Sequence, residues 1–282
     1  MCAYGKATHN LTPSEVDQVF QNRLNDSQSH TLVLDVYGSI LDEREMPGES
    51  FDRMLYWVAR MPEIRTVIFE TRPETISQVK INCIKSLLRP DQKVGFELGV
   101  ETYDEKERRN RLGKNLSDQA ILDAISLAQQ NGCFIDANVL IGVPFLSVPE
   151  RIVQSIRATE RLIDNGCADV ILFPINLKRD TVLFDIYRQG LYEPVSHWEI
   201  ISVLSGLRES TLDAISLVYY GNKGNGIKPS QCPECVQNNH FGKFYREFLY
   251  GEPGRRALLN KLTSHTTCEC AQQFKDLMSQ SS

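Results

Sequence analysis

Apolar residues along the chain follow two alternating rhythms. Short runs with few polar interruptions, TLVLDV (31–36), RTVIFE (65–70), KVGFELGV (93–100), FIDANVLIGV (134–143) and ADVILFPI (168–175), are separated by longer stretches with apolar positions every three or four residues. The short runs suit β-strands covered on both faces, and the stretches between them suit amphipathic helices. SFDRMLYWVAR fills 50–60 in this second manner. SDQAILDAISLAQQNG (117–132) opens on Ser117 as N-cap and closes on Gly132, and PERIVQSIRATERLIDNG (149–166) opens on Pro149 and closes on Gly166. Strand–helix alternation predicts βαβ units with right-handed crossovers and a parallel sheet. Beyond 180 the rhythm fades into helices around 180–190 and 196–210, a last strand-like piece AISLVYY (214–220) and a Gly-rich hinge GNKGNG (221–226). That hinge divides the chain into an α/β body, 1–220, and a tail, 221–282.

Composition changes this picture in two places. A net charge of -5, from 31 Lys and Arg against 36 Asp and Glu, excludes a globally basic nucleic-acid binder but not a local basic patch. No apolar run reaches the ~20 residues of a membrane span, and the start MCAYGKATHN lacks the apolar core of a secretory signal. A cytoplasmic protein is expected, and for one the eight cysteines are too many. Cys83, Cys133 and Cys167 stand in apolar surroundings and read as core. Cys232 and Cys235 (CPEC) and Cys268 and Cys270 (CEC) form two close pairs, a pattern that suits a structural zinc site, with redox thiols as the alternative. The second pair has a single intervening residue, so His240 or His265 is a candidate replacement for one thiol. The tail is also locally basic, with Lys223, Lys228, Lys243, Arg246, Arg255, Arg256 and Lys261 against Glu234, Glu247 and Glu252. Phe241, Phe244, Tyr245, Phe248 and Tyr250 interleave with these charges. They form either the core face of an amphipathic helix or an RNA-contacting surface.

In a parallel α/β architecture, chemistry collects where strands end and βα loops begin. Four successive strands here end in residues that plain loops do not need. YGSILD (37–42) offers Gly38 and Ser39; ETRPE offers Glu70, Arg72 and Glu74; ELGVET offers Glu97, Gly99, Glu101 and Thr102; LIGVP offers Gly142 and Pro144. Each also has a bland reading: a Glu70–Arg72 ion pair, turn punctuation at Gly142 and Pro144, and a solvated face for KERRNR (106–111). Their recurrence in order favours a cofactor site along the strand edge.

These segments carry a family resemblance. MCAYG (1–5), YGSILDEREMPGESFDRML (37–55), FETRPE (69–74), FELGVETYDEKERRNRLGK (96–114), VLIGVPFLSVPERIVQSI (139–156), FPINLKRDTVLFDIYRQGLYEPVSHWEIISVL (173–204) and the CPEC and CEC pairs resemble radical S-adenosylmethionine (SAM) enzymes of the Elongator-catalytic-subunit/MiaB/NifB type. They are more closely similar to the archaeosine-forming enzymes that modify a deazaguanine base in transfer RNA. The resemblance implies a partial (β/α)6 TIM-like barrel of the radical SAM type, lacking its first strand in this chain, plus a small C-terminal Cys-rich module. It also implies a 4Fe–4S cluster held by a CxxxCxxC loop, SAM on the cluster's open iron, and a 5′-deoxyadenosyl radical that abstracts a substrate hydrogen. An electron donor such as a flavodoxin or ferredoxin follows.

Matched by position, Gly38 and Ser39 fall where the SAM amino group is received, and Glu74 in a segment close to the cofactor. Glu101 and Thr102 fall where the ribose is contacted, Arg108 and Lys114 where the SAM carboxylate is met, and Gly142 and Pro144 where adenine lies against backbone. Cys2, followed by AYG, matches the third cluster cysteine; the first two have no counterpart. One thiolate does not hold such a cluster. Two explanations stand: the chain begins late, or it is a cluster-free relative that binds SAM or RNA without catalysis. An unrelated barrel lyase or aldolase is the third reading.

Overall fold

The computed structural model describes residues 12–24, 29–36, 38–217, 232–237, 240–251, 254–265 and 268–280. Strands β1 (Thr31–Leu34), β2 (Thr66–Thr71), β3 (Lys93–Glu101), β4 (Phe134–Ile141), β5 (Asp169–Pro174) and β6 (Ile215–Leu217) form one parallel sheet in sequence order. It curves into a half-barrel with helices around it. The chain is thus an α/β partial TIM-like barrel, as the strand–helix alternation predicts.

Strand alternation explains which side faces the helices. On β2, Val67 and Phe69 are fully buried, and the Phe69 ring meets Phe51 at 5.9 Å and Phe96 on β3 at 6.0 Å. Phe51 belongs to α2 (Gly48–Ala59), so this face is the outer, helix-covered one. Glu70, next along the strand, points to the concave side.

The helices between strands are α3 (Gln78–Leu87), α4 (Glu105–Leu112), α5 (Asp118–Gln130) and α6 (Val148–Asp164), with α1 (Pro13–Leu24) ahead of the sheet. After β5 come α7 (Val182–Arg188), α8 (His197–Gly206) and α9 (Glu209–Leu212). Ser117 caps α5 by accepting from the Ala120 N–H at 3.1 Å, as the sequence predicts. The α6 helix starts one residue earlier than Pro149 suggests, because Ser147 and Glu150 form a reciprocal capping box. The KERRNR segment is a helix, α4, rather than only a solvated face. Its buried member is Arg108, so no apolar period announces it.

The tail contributes α10 (Pro233–Gln237), α11 (His240–Tyr250), α12 (Arg255–His265) and α13 (Glu269–Gln280). Phe241, Phe244, Tyr245 and Phe248 of α11 are buried in a hydrophobic core continuous with that of the body, so they serve packing rather than RNA contact. Arg255 donates to the Ile215 carbonyl at 2.8 Å and to Leu212, and Arg256 donates to Ser205 at 2.6 Å and to Leu207. These two cations clamp α12 to the body and are not part of a free basic surface. Lys243 and Arg246 stay exposed, whereas Lys223, Lys228 and the hinge at 221–226 lie outside the described residues. Among the described residues no helix is long and apolar enough to cross a membrane.

Candidate active site and a four-thiol metal site

The β1 and β2 loops are stitched into one network. Gly38 has φ +153°, and a Cβ there would fall on the Glu45 carboxylate, which accepts the Ser39 N–H. The Ser39 hydroxyl meets those of Thr71 and Thr75, the latter at 3.0 Å, and accepts from the Arg72 N–H at 3.3 Å. The Arg72 guanidinium binds Glu45 at 2.8 Å, Glu74 at 3.2 Å and Asp42. Arg72 therefore pairs with these three rather than with Glu70. Arg44 first, and then Arg72, hold the Asp42 carboxyl far below the ordinary range.

The β3 and β4 ends form a second network around α4. A register shift between Gly99 and Glu101 places Glu101 at φ +68°, with its carboxylate on Lys114 at 3.0 Å. Arg108, 0% exposed, donates to the Leu116 carbonyl at 2.9 Å, to Thr102 O and to Asp118. A guanidinium so placed positions the Thr102 backbone and has no face left for a ligand. Thr102 itself lines a cleft of about 630 Å³ between the β3 end and α6, with Tyr103, Pro149, Val153 and Gln154. Arg111, one turn beyond Arg108, donates to the Phe145 carbonyl at 2.7 Å and to Pro144 at 3.4 Å. Gly142 has φ +94° and its carbonyl accepts from Tyr192 Oη at 2.8 Å. A Cβ on Gly142 would collide with Val195 and crowd Tyr192 and Ile175. Gly142→Ala is therefore expected to destabilise the fold by ~2–5 kcal/mol, from left-handed backbone strain plus overpacking. Urea unfolding checks this, and an unchanged midpoint would exclude the steric account.

A feature absent from the strand-end reading runs across the sheet. The register pairs Glu70 with Glu97, Glu97 with Asp136 and Asp136 with Asp169, and Asp35 follows Leu34 as Glu70 follows its partner Phe69. Strands β2 to β5 thus carry one acidic residue each at a common level, and Asp35, the residue after β1, continues the row. Glu70 and Glu97 stood out at strand ends, but Asp35, Asp136 and Asp169 did not. The sequence holds the signal as a carboxylate recurring beside each apolar run, readable only once the register is known. Burial, then the Asp35 charge, pushes the Glu70 carboxyl up to about 8. Burial, then Asp169 and Glu97, pushes Asp136 up to about 7, and burial raises Glu97 and Asp169.

An acid whose pKa rises on folding binds protons more tightly folded than unfolded. That stabilisation is complete below the ordinary carboxylate range near ~4, and it is lost as pH rises through about 7 and 8. The melting temperature is expected to fall between pH 6 and 8.5, and Glu70→Gln to flatten that slope and raise stability at the alkaline end. Thermal melts across this range test the sign; a slope unaffected by Glu70→Gln would contradict it.

In the tail, the Sγ atoms of Cys232, Cys235, Cys268 and Cys270 all lie within 4.8 Å of one another. Cys235–Cys268 is 3.4 Å, Cys235–Cys270 3.6 Å and Cys268–Cys270 3.3 Å. A tetrahedral metal with bonds near 2.3 Å requires sulfurs about 3.8 Å apart, so the group fits one ion and is too tight for a cubane cluster. His240 is not in the group, and the His265 side chain lies outside the described residues. The Trp198 indole N–H donates to Cys270 Sγ at 3.1 Å, the outer-shell bond a thiolate ligand uses. Beside it His197 stacks on Phe241 at 4.1 Å and bonds Tyr245 Oη at 3.0 Å. The thiol group is thereby tied to α8 of the body.

No protein-family profile matches the chain. An uncharacterised protein of Methanocaldococcus jannaschii is 26% identical over 196 residues, 70% of this chain and 53% of that protein. The archaeosine synthase subunit beta of Methanosarcina acetivorans is 28% identical over 201 residues, 70% of this chain and 57% of its own. The chain thus spans little more than half the length of either. Among solved structures, the archaeal Elp3 of Methanocaldococcus infernus superposes with TM-score 0.54 at 14% identity, covering 85% of this chain and 63% of that one. Methylornithine synthase gives 0.52 at 16%, covering 92% and 79%. The radical S-adenosylmethionine methyltransferase TsrM of Kitasatospora setae gives 0.51 at 10%, covering 90% and 55%. The chain shares the fold of these three structures.

In this half-barrel, parallel order sets the Gly38–Ser39, Glu74, Glu101–Lys114 and Gly142–Pro144 segments along one edge, as the strand-end reading expects. Among the described residues no cysteine lies at that edge. Cys83 lies within α3, and Cys133 and Cys167 precede β4 and β5, at the opposite ends of the strands. Cys2 lies outside the described residues.

Proposed function

We propose that this chain is the SAM- and substrate-binding body of a radical SAM enzyme that modifies a deazaguanine-type base in transfer RNA. The similarity to an archaeosine synthase subunit over 201 residues carries the substrate class. The ordered strand-end segments support the cofactor. The Gly38–Ser39 segment is assigned to the SAM amino group, Glu74 to the segment close to the cofactor, and Glu101 with the neighbouring Thr102 to the ribose. Lys114, part-exposed beside Glu101, is assigned to the carboxylate. Gly142 and Pro144 are assigned to the adenine. Arg108 acts one step back, holding the Thr102 backbone. The four thiols are assigned to zinc, which fixes the tail against α8. Apart from the four tail thiols, the described residues bring no three cysteines together for a 4Fe–4S cluster, and no step is routed through one.

Equilibrium dialysis with labelled SAM and filter binding of transfer RNA test this reading on the chain itself. Micromolar SAM binding that weakens at least tenfold in Lys114→Met is expected. Absence of binding to both SAM and transfer RNA by folded protein would overturn it. Anaerobic reconstitution with iron and sulfide, of this chain and of any version extended by in-frame upstream codons, then separates a cluster-bearing enzyme, which cleaves SAM, from a cluster-free binder.

A further inference from the structure

From the acidic row on the concave face, we infer a receptor for an organic cation, a hydrogen-bond-donating positive group of the substrate. Glu97 and Asp136 are 8% and 7% exposed and Glu70 and Asp169 are half-buried, while Asp35 is exposed. The row is therefore enclosed at its centre and open at its β1 end. The cations near it are otherwise engaged: Lys114 holds Glu101 and the Gly99 carbonyl, and Arg72 holds Asp42, Glu45 and Glu74. Ser216 donates to Asp169 from β6.

Asn138 is the second observation. Its side chain projects on the same face as Asp136, two residues earlier on β4, and its Nδ2 donates to Glu97 Oε1 at 2.8 Å. The residue is 8% exposed, and its Oδ1 has no hydrogen-bond partner. A buried acceptor without a donor costs about 1–3 kcal/mol. Once ionised, its neighbours Glu97 and Asp136 can only accept, so in that state the donor to Oδ1 comes from outside. A group that carries positive charge and N–H bonds satisfies the carboxylates and the orphan carbonyl together.

A divalent metal does not fit. Among the described residues, the four cysteines alone bring three or more His, Cys, Asp or Glu ligand atoms together at one point. Strands are spaced ~4.8 Å apart, so the row stretches its charge along a line, which matches an extended organic cation rather than a point ion. The inference rests on the barrel reading only in taking the concave face as the substrate side. It requires neither SAM nor transfer RNA to be bound.

The test uses n-butylguanidinium and its neutral isostere n-butylurea, titrated calorimetrically into the 282-residue protein at pH 8.5. The guanidinium is expected to bind at least tenfold tighter than the urea. Glu97→Gln and Asp136→Asn are each expected to weaken it at least tenfold while raising the melting temperature, because each removes like-charge repulsion. A purely structural role predicts lower stability in these variants and no change in ligand preference. Equal affinity for the two probes, no guanidinium binding, or binding unaltered in both folded variants would overturn the inference. Loss of probe discrimination with SAM binding retained overturns this inference alone; the converse overturns the SAM reading alone.

Discussion

Replacing Cys235 with Ser is expected to empty the metal site and unfold the tail helices while leaving the six-stranded barrel in place. The reason is the balance of forces in the tail. Helices α10 to α13 have at most 12 residues each, too short to persist in water on their own. Their apolar content is concentrated in α11, whose Phe241, Phe244, Tyr245 and Phe248 are buried. Structural zinc sites of four thiolates contribute roughly 10–16 kcal/mol of apparent binding energy at neutral pH, which becomes folding energy when the apo site is not preformed. Loss of one ligand removes most of that and leaves three thiols packed within a few ångströms without a counter-charge. One zinc per chain is expected in the purified protein, falling below a tenth in Cys235→Ser. Far-UV ellipticity should drop by the share of the tail helices, and Trp198 emission should change as its indole loses Cys270. Limited proteolysis should then stop at the body, near Leu217. Cobalt substitution gives an independent readout, since four-thiolate tetrahedral cobalt has intense visible bands. A metal-free native protein whose Cys235→Ser variant melts unchanged would refute the site.

The consequence for the body is mechanical. Trp198 and His197 begin α8, and Trp198 bonds Cys270 of the four-thiol group while His197 packs against α11. Arg255 and Arg256 insert into carbonyls at the end of α8 and around β6. The four-thiol group and the two arginines therefore tie the tail to one margin of the half-barrel, beside β6, a sheet edge that would otherwise be poorly defended. A tail built to hold the sheet margin explains why Phe241, Phe244, Tyr245 and Phe248 point inward, with Tyr250 left exposed, and why two of its cations are spent on backbone carbonyls. The basic, aromatic composition reads equally well as an RNA surface when only sequence is known. What separates the two readings is the direction of each side chain, which depends on packing against α8.

Legibility differed by residue for the same kind of reason. Strands and the α5 cap were readable because each rests on local chemistry, such as the β-branched runs and Ser117. The four thiols were readable because ligand spacing survives in sequence. α4 was hidden because its buried residue is Arg108, whose role depends on carbonyls of Thr102 and Leu116 that only the fold brings near. The acidic row was hidden more completely. Its members are separated by tens of residues, and their alignment is a property of sheet register alone.

Glu199→Ala is expected to cost about 3–5 kcal/mol, the scale for stranding one member of a buried ion pair. Arg151 on α6 and Glu199 on α8 face each other at 3.4 Å with side chains 4% and 2% exposed. Neither Arg151 Nε nor Glu199 Oε1 makes a hydrogen bond of good geometry, although Arg151 Nη1 reaches the Glu193 carbonyl at 3.1 Å. Burial pushes the Glu199 carboxyl up to about 7, against the pull of Arg151. Desolvation of the carboxylate thus outweighs its attraction to Arg151, and removing Glu199 is costly mainly through the charge it leaves behind. Glu199→Ala leaves a guanidinium enclosed by α6, α8 and the Tyr192 ring at 5.5 Å. The double variant Arg151→Met, Glu199→Leu removes both charges while keeping volume, and is expected to recover most of the loss. A double-mutant cycle in urea should show a coupling of several kcal/mol, and additive single losses would refute the pairing. The pH dependence has a definite sign as well. Because folding raises the Glu199 pKa, its contribution is complete near pH ~4 and fades as pH climbs through about 7. Glu199→Gln, which keeps shape and cannot ionise, should lose part of the downward slope between pH 5 and 8, while wild type keeps it.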